Sequence, residues 1–391
     1  VNYPLSPLNA LMGLGPVNSL LAKASYLNSQ LRRRLRRRPP ENFEEWVSDR
    51  FGQVLYRTFF KTYSEKIWGI PCSRISPEWA SQRIQGLSLP KALLNAARKG
   101  RANGEKTLAE RFLYPRLGAG ELCQRIAERV ANTGGAVRLQ ATVTRVTTGD
   151  EMHAILWRDE EGREHQVQGR HLVSSAPLAE LVPQLVPQPP EAVLQAARGL
   201  RYRNHICVNL VLPRPVFPDN WIYVHSPEVT LARVANYRSF SSAMSAGDEE
   251  NPVTAEYFTS TGDAIERMDD DALCDLAVQE LKHVGLLPRS EEVTDRFVVR
   301  NAKAYPLLEI GCAEKRQIIR EFLTDVQRLW SIGRGGLYKY NNMDHAALTG
   351  LLAARNVLGE RHDIWGINAT DEHIEAGVSP SVGGGSPSEA G

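Results

Sequence analysis

The segment that most constrains the fold lies near the C-terminus, where an apolar run, a glycine-rich turn and a helix-forming sequence follow one another. Leu329-Trp-Ser-Ile is short and apolar, as expected for a buried strand, and Gly333-Arg-Gly-Gly336 follows it directly. The apolar residues after the turn recur at helical spacing and predict a helix over 344–358, which Gly359 terminates. The candidate N-cap residues are Asn341, Asn342 and Asp344.

A strand that leads through glycine into a helix N-terminus is suited to bind an electron-rich group. The first N–H groups of a helix have no intrahelical acceptor, and the helix dipole adds positive potential at the same place. An ordinary strand-to-helix connection has the same sequence pattern. The residue chemistry of this segment therefore leaves both interpretations open.

The composition is that of a globular protein with room for two lobes, since the chain has 391 residues. Its formal net charge of +2 gives no overall field that would favour nucleic acid as a partner. No apolar run approaches the roughly 20 residues of a transmembrane helix, although peripheral membrane contact stays compatible with the sequence. The cysteines form no Cys-x-x-Cys pair, which favours reduced thiols in a cytoplasmic protein and argues against disulfides and metal sites. They are Cys72, Cys123, Cys207, Cys274 and Cys312.

Hydrophobic periodicity predicts both sheet and helix along the chain. Strand patterns predict a strand pair over 137–146, a hairpin from 152–157 and 164–168, and a mixed or antiparallel sheet between 201 and 299. Helical spacing predicts amphipathic helices over 5–31, 121–133 and 269–284. Of the nine histidines, only His345 lies in a motif, and there a solvated or capping role is favoured over catalysis.

A basic run, Arg32 to Arg38, follows the leucine-rich helix predicted over 5–31. Such a run could contact anionic lipid or nucleic acid. We favour a solvated helix end, because cations are stabilised at the negative C-terminal end of a helix dipole.

Two separated groups of motifs resemble those of one flavoprotein family. Gly333-Arg334, Tyr340-Asn-Asn-Met-Asp344 and Gly350-Leu-Leu-Ala-Ala-Arg355 resemble the C-terminal flavin-contacting motif of the FAD-dependent amine oxidase superfamily. Residues 59–84 are similar to the substrate-lobe signature Tyr-x-x-Lys-x-Trp-Gly-x-Pro of its protoporphyrinogen-oxidase-like branch, whose neighbour is UDP-galactopyranose mutase. The resemblance implies FAD as cofactor and a small-molecule substrate, and it leaves the oligomeric state open.

The resemblance also implies which residues contact the cofactor. In that family the glycine-arginine turn lies beside the FAD pyrophosphate and ribityl chain, and the next helix points its N-terminus at the isoalloxazine. Tyr114-Pro-Arg-Leu-Gly-Ala-Gly120 resembles the Tyr-Pro-x-x-Gly-x-Gly loop that passes near the flavin, and Val143 matches a position whose backbone pairs with adenine. The implied FAD contacts are Gly333, Arg334, Tyr340, Asn342, Met343, Asp344, Gly118, Gly120 and Val143.

A substrate pocket is implied by the block around residue 63. The tyrosine, tryptophan and arginine that line the nucleotide-sugar pocket of the mutases match Tyr63, Trp68 and Arg83. Lys66 is a further candidate anion donor on chemical grounds. Core packing explains aromatic residues equally well, so the block predicts either a pocket wall or an ordinary core.

The resemblance implies an α/β (α+β) fold, with an incomplete FAD/NAD(P)-binding Rossmann-like domain interleaved with a mixed-sheet and helical substrate domain. We expect a truncated form, because no Gly-x-Gly-x-x-Gly turn is found and Gly13-Leu-Gly15, interpreted as a turn, lacks the third glycine. The expected segments are a helical substrate-lobe segment at 1–110, an FAD-domain segment at 111–178, the substrate-domain sheet at 179–300, a C-terminal FAD-domain segment at 301–368 and a disordered tail at 369–391.

Three hypotheses for function follow from this resemblance. The favoured one is an FAD-dependent oxidoreductase that passes hydride from its substrate to the flavin. The second is a non-redox isomerase that acts on a nucleotide-sugar, as the mutases do, and the third is a non-catalytic remnant of the fold. No Ser-His-Asp, Cys-His or metal-ligand pattern is found in the sequence, which suits an enzyme whose cofactor performs the chemical step.

Overall fold

The computed structural model describes residues 7–35, 38–83, 113–247, 250–290 and 292–367. The expected tail at 369–391 therefore lies outside the described residues. Within the described ranges, no helix has both the length and the apolarity that a bilayer crossing requires.

Helices dominate the first part of the chain. Asn42 caps the second of them, since its Oδ1 accepts from the N–H of Glu45 at 2.9 Å, and Gly52, with φ +84°, ends it. Gly15 interrupts the first helix with φ +74°, which is where the sequence predicted a turn. The helices are α1 (Pro7–Leu35), α2 (Phe43–Phe51), α3 (Gln53–Leu55), α4 (Thr62–Trp68) and α5 (Pro77–Arg83), with a π-helical turn at Tyr56–Lys61 and a 3-10 turn at Cys72–Arg74.

Two small sheets are formed by five strands between residues 142 and 186 and one later strand at Leu329–Ser331. The first has four strands in the order β3-β2-β1-β5, and the second is a parallel pair of β11 and β4. Their elements are α6 (Ala119–Asn132), β1 (Thr142–Thr147), β2 (His153–Arg158), β3 (Glu164–Gly169), β4 (Leu172–Ser174), α7 (Leu178–Gln184), β5 (Leu185–Val186), α8 (Glu191–Arg198), and, later in the chain, α11 (Cys312–Asp325) and β11 (Leu329–Ser331).

The largest sheet has five strands in the antiparallel order β10-β6-β9-β8-β7. One of its faces is apolar and packs against α10, whose N-cap Asp269 accepts from the N–H of Ala272 at 2.8 Å. The elements are β6 (Tyr202–Leu212), β7 (Trp221–Tyr223), β8 (Arg233–Asn236), α9 (Tyr237–Phe240), β9 (Asn251–Thr259), α10 (Asp270–His283) and β10 (Asp295–Pro306). The C-terminal elements are α12 (Gly333–Leu337) and α13 (Met343–Val357).

The opposite face of this five-stranded sheet is polar. Successive residues of a strand point to opposite faces, so the residues that alternate with the buried Ile206, Val208 and Leu210 of β6 point away from α10. We call this surface the polar sheet face. Its members on β6, β7, β8 and β9 are His205, Cys207, Asn209, Tyr223, Arg233, Thr254 and Glu256.

Several predicted elements are confirmed, and three are corrected. The hairpin at 152–168 and the helices predicted at 121–133, 269–284 and 344–358 are present with ends shifted by a few residues at most. The strand pair over 137–146 was wrong in its first half, because Gln140 with φ +54° breaks the extended backbone and only Thr142–Thr147 is a strand.

The other two corrections concern single elements. The glycine-rich turn after β11 is a five-residue helix, α12, since its glycines allow the backbone to pack against the end of β4. The antiparallel sheet predicted between 201 and 299 extends to residue 306, because β10 pairs with β6 from Asp295 to Pro306 with one irregularity.

Candidate active site

Close backbone packing explains the glycines of α12. Gly333 takes φ +72° where β11 turns into α12, and its N–H donates to Thr349 Oγ1 at 2.9 Å. A Cβ at Gly336 would lie 2.8 Å from Ser331 Oγ and 2.9 Å from Ser174 O, which no side chain can occupy without a shift. These glycines therefore bring α12 against the carboxyl end of β4.

Arg334 joins α12 to the loop before α13. Its Nε donates to Asn341 O at 2.8 Å and its Nη1 donates to Ala304 O at 3.3 Å. Its guanidinium carbon also lies 4.6 Å from the ring centre of Tyr305 and 5.2 Å from that of Tyr340, within cation–π range. The guanidinium is thus engaged inside the protein, so we assign Arg334 to shaping this turn and to supplying positive charge beneath two aromatic rings.

The backbone N–H groups in the first turn of α13 receive no side-chain cap from Asn342. Asn342 occupies the N-cap position, but its side chain makes no capping hydrogen bond, and the first intrahelical bond runs from Ala346 N–H to Asn342 O at 3.0 Å. The N–H groups of the first turn have no intrahelical acceptor. Met343 is 55% exposed at this end, whereas both carboxylate oxygens of Asp344 are buried and accept no hydrogen bond from the described residues. Asp344 Oδ1 lies 3.1 Å from Nδ1 of His345, which is buried rather than solvated as the sequence suggested.

A buried ion network lies on the polar sheet face. Glu256 Oε2 is 2.8 Å from His205 Nε2, and the same oxygen accepts from Arg233 Nη2. His205, Arg233 and Glu256 stand on three adjacent strands, β6, β8 and β9, with β9 in the middle. Glu256 is only 5% exposed, so its charge depends on these two partners.

These contacts set the charge of the network at neutral pH. Burial lowers the pKa of His205, but hydrogen bonds with Cys207 and Glu256 reverse this and raise it to about 9. Burial raises the pKa of Glu256, and the hydrogen bonds and positive charges of His205 and Arg233 bring it below its ordinary value. Burial also lowers the pKa of Arg233, which the charge of Glu256 more than offsets. The network therefore carries two positive charges and one negative charge.

Aromatic rings connect this network to the N-terminal end of α13. Tyr305 stands edge-on to His205 with ring centres 6.0 Å apart and stacks on Tyr340 at 5.7 Å. Trp68 meets Tyr340 edge-to-face at 5.9 Å, and it is completely buried. Trp68 is therefore a core residue that packs against Tyr340. The sequence alone had left open whether it lines a pocket or belongs to the core.

Tyr63 and Lys66 take different places although both lie on α4. The Tyr63 ring meets Tyr223 of the polar sheet face edge-to-face at 5.0 Å. Burial and then Tyr223 raise the pKa of Tyr63 well above its ordinary value, with Arg233 opposing, so its phenol stays protonated. Lys66 Nζ instead donates to two main-chain carbonyl oxygens at 3.2 and 2.9 Å, and burial lowers its pKa to about 8. Lys66 thus links α4 to the connection between β7 and β8.

The loop before α6 docks on the same lobe. Tyr114 packs on Phe240 of α9 with ring centres 4.9 Å apart, and Ser241 Oγ donates to Arg116 O at 2.7 Å. Gly118 is the N-cap of α6 with φ +95°, and a Cβ there would lie 2.8 Å from the Met244 side chain. A Cβ at Gly120 would meet nothing within 4 Å, so open space adjoins this end of α6.

Two further predicted positions remain, Val143 and Arg83. Val143 is in β1 of the four-stranded sheet, where its carbonyl oxygen accepts from Gln184 Nε2 at 3.1 Å. Arg83 is the last residue of α5, and its side chain lies outside what the structure describes. A polar cavity of about 480 Å³ between α1 and α2 is lined by none of the predicted site residues.

Comparison with known proteins decides the family. A sequence profile described as flavin-containing amine oxidoreductase matches residues 6–358. The chain belongs to this family.

Two solved structures share the architecture at low sequence identity. Reduced UDP-galactopyranose mutase superimposes with a TM-score of 0.73 and 18% identity, covering 92% of this chain and 74% of the mutase chain. A protein described as a protoporphyrinogen oxidase, from Exiguobacterium sp., gives a TM-score of 0.63 and 16% identity, covering 88% of this chain and 73% of the other. The mixed α/β fold predicted from the resemblance is therefore confirmed.

The residues at the end of α13 fit the flavin of this amine oxidoreductase family. A flavin presents carbonyl acceptors and also N–H and hydroxyl donors, so it needs protein donors and acceptors side by side. The first turn of α13 offers backbone N–H groups that Asn342 does not cap. Asp344 offers two buried acceptor oxygens that accept no hydrogen bond in the described structure, although Oδ1 lies 3.1 Å from Nδ1 of His345. An unsatisfied buried carboxylate is costly, which is the physical reason to expect a donor there.

The sequence interpretation missed the ion network of the polar sheet face. The signal was present in the strand periodicity, because Asn204-His-Ile-Cys-Val-Asn-Leu210 alternates polar and apolar residues. Glu256 is likewise a single acid in the run Val253-Thr-Ala-Glu-Tyr-Phe258. Only the pairing of β6, β9 and β8 brings these residues together with Arg233.

Proposed function

We propose that this chain forms the substrate lobe and the C-terminal flavin-binding part of an FAD-dependent oxidoreductase acting on a small molecule. The observation that carries the proposal is the junction between the uncapped N-terminus of α13 and the polar sheet face, which meet at Tyr305 and Tyr340. FAD, when bound, would accept hydride from the substrate. The chain's own residues would hold the cofactor and orient the substrate beside it.

Both backbone and side-chain groups would contact FAD. The first-turn N–H groups of α13, which include those of Met343 and Asp344, would donate to carbonyl oxygens of the ring system. The buried Asp344 carboxylate would accept from an N–H or hydroxyl of the cofactor. Gly333 and Arg334 would act indirectly, because the contacts of both lie within the protein and fix the backbone that precedes α13.

The charges of the candidate active site favour a substrate with an acidic group. Arg233, Arg334 and protonated His205 supply three positive charges, and Glu256 and Asp344 supply two negative ones, so the sum is positive. Tyr63 remains a neutral donor at the same face. The aromatic rings between these groups exclude water, which strengthens each electrostatic interaction with a bound anion.

A nucleotide-sugar isomerase is the second candidate. The same positive sum suits a diphosphate as well as a carboxylate, and the fold likeness extends to a UDP-galactopyranose mutase. The two candidates differ in electron flow, since an oxidoreductase substrate reduces the flavin and an isomerase returns it unchanged.

The first experiment is an FAD titration of the purified chain, followed by the absorbance band of oxidised flavin. We expect binding by the natural sequence and an affinity at least about tenfold lower for Asp344→Asn, since hydrogen bonds to a charged group contribute about 1.5–3 kcal/mol. Asp325→Asn is the control, because Asp325 is an exposed acid at the end of α11. Equal affinities for all three proteins would refute the placement of FAD at α13, and the absence of any binding would favour a non-catalytic remnant.

A second experiment separates the two catalytic candidates. The FAD-loaded chain is mixed anaerobically with acidic amines or porphyrinogens and, separately, with a nucleotide-sugar after reduction by dithionite. Bleaching of the flavin band by the first group supports the oxidoreductase. Turnover of the nucleotide-sugar only after reduction would instead support the isomerase.

A further inference from the structure

Helix α1 has its apolar residues on the outside. Between Val17 and Leu35, leucine and valine side chains that would normally form a core contact are 53–72% exposed. We call this surface the leucine stripe; it consists of Val17 (70% exposed), Leu20 (70%), Leu21 (53%), Leu27 (68%), Leu31 (58%) and Leu35 (72%). At about 100° per residue, the stripe falls within roughly 120° of the helix circumference.

The inner side of α1 is small and polar, and its contacts fix the rotation of the helix. Ala22 and Ser29 are the buried residues there, with exposures of 2% and 7%. Ser25 Oγ accepts from the N–H of Val54 at 3.2 Å, and Gln30 Nε2 donates to main-chain carbonyl oxygens of α2 at 3.4 Å. A Cβ at Gly52 would lie 2.8 Å from the Tyr26 nitrogen, so the two backbones are already in close contact. Turning the leucines inward would break these contacts.

Positive charge accompanies the stripe without any acid on the same helix. Residues 7–35 contain Lys23, Arg32, Arg33 and Arg34 and no aspartate or glutamate. Lys23 and Arg34 flank one edge of the stripe, at about 100° per residue, and Arg32 flanks the other. Arg32 also lines the polar cavity with acids of α2, and Arg33 falls on the opposite side of the helix from the stripe, so Lys23 and Arg34 account for the positive charge beside the stripe.

From these observations we infer that α1 is a peripheral membrane-binding helix whose leucine stripe enters the interface of an anionic lipid bilayer. An amphipathic helix with an apolar face and a basic rim is the arrangement that lies in such an interface. Each arginine or lysine near an anionic surface adds about fivefold to binding, and this effect fades with salt. The favoured sequence interpretation, a solvated helix end, explains the arginines but leaves the exposed leucines without a reason.

A second copy of the chain is the main competing occupant. A dimer across the stripe would bring the basic rim of one copy beside that of the other, and α1 has no acid to compensate. Charge therefore favours lipid. This surface is separate from the candidate active site, so the inference stands whether or not the proposed function is correct.

The test is co-sedimentation of the full chain with phosphatidylcholine vesicles, with and without phosphatidylserine, at low and high salt. We expect binding to the phosphatidylserine vesicles that high salt weakens, and little binding to phosphatidylcholine alone. The combined change Leu20→Ser, Leu27→Ser and Leu31→Ser should abolish binding. The combined change Lys23→Gln and Arg34→Gln should lower it by at least about tenfold.

A matched control removes an exposed apolar stripe elsewhere. Leu122, Ile126 and Val130 of α6 are 49%, 56% and 38% exposed, and their helix carries charges of both signs. The triple serine variant of these residues should bind vesicles as the natural sequence does. Circular dichroism and thermal unfolding confirm that every variant is folded.

Three results would overturn the inference. One is vesicle binding that survives in the folded leucine variant, and another is binding that ignores both lipid charge and salt. The third is a concentration-dependent dimer that the leucine variant dissolves, with no vesicle binding by the natural sequence, which would assign the stripe to a second copy.

Discussion

Replacing His205 by glutamine should remove the loss of stability that deprotonation of His205 causes between pH 6.5 and 9. The imidazolium is held by Glu256, with which it shares a 2.8 Å hydrogen bond on a nearly buried sheet face. Glutamine keeps a polar side chain at the position but carries no proton that titrates in this range. The variant therefore isolates the contribution of the charged pair.

The sign and size of the effect follow from the two pKa values. The pKa of His205 is raised from 6.5 to about 9 by folding, so its stabilisation is fully present below pH 6.5 and is lost as the pH rises through 9. Within that interval each pH unit changes the free energy of unfolding by about 1.4 kcal/mol for one proton, which gives a total of about 3 kcal/mol. Glu256 stays ionised across this range because folding lowers its pKa.

Urea unfolding at several pH values across the interval measures this slope. The natural sequence should lose about 3 kcal/mol relative to His205→Gln, and the two curves should converge above pH 9. His283→Gln is the control, because His283 is 55% exposed beside Glu228 and should leave the slope unchanged. Parallel curves for the natural sequence and His205→Gln would refute the assignment of the buried charge.

The remaining predictions concern local packing, capping and ion pairing, each measured as the free energy of unfolding. Gly336→Ala should destabilise the protein by about 1–3 kcal/mol, because its Cβ would lie 2.8 Å from a serine hydroxyl. Gly350→Ala should stabilise α13 by about 1 kcal/mol, because the nearest atom to its Cβ is 3.7 Å away. A loss of stability at both positions would contradict the packing argument. Asp269→Ala should cost about 1 kcal/mol through the lost N-cap bond, and an unchanged midpoint would show that α10 needs no cap. Glu78→Gln should lower the free energy of unfolding by about 3 kcal/mol, because its partner Arg316 is only 15% exposed. Glu164→Gln should lower it by less than about 1 kcal/mol, because Glu164 and its partner Arg158 are about half exposed. Equal losses would count against burial as the cause.

Local sequence signals predicted the individual elements well where a single physical cause determines them. Helical spacing over 121–133 and 269–284 predicted α6 and α10, because this periodicity depends only on residues within one segment. The prediction over 137–146 failed, because the alternating apolar residues 137 and 139 are exposed and lack a strand partner. Alternation indicates a strand, but pairing decides whether one forms.

The candidate site was predicted only in part, for a related reason. The motif at 333–344 identified the helix whose N-terminus keeps its donors, since a glycine turn and the helix after it are contiguous in sequence. Trp68 could not be assigned to pocket or core from sequence, because burial depends on what packs against it. The positions of FAD contacts and of a substrate pocket remain predictions.

The sequence by itself determined the fold family, the glycine turn that leads into α13, and the leucines and arginines of α1. Each depends on neighbours along the chain, or on motifs whose residues lie within a few positions of one another. Tertiary structure alone brought His205, Arg233 and Glu256 into one network and turned the leucines of α1 outward. The physical reason is that charge pairing and burial are properties of residues distant in sequence, which only the packed sheet and helices bring into contact.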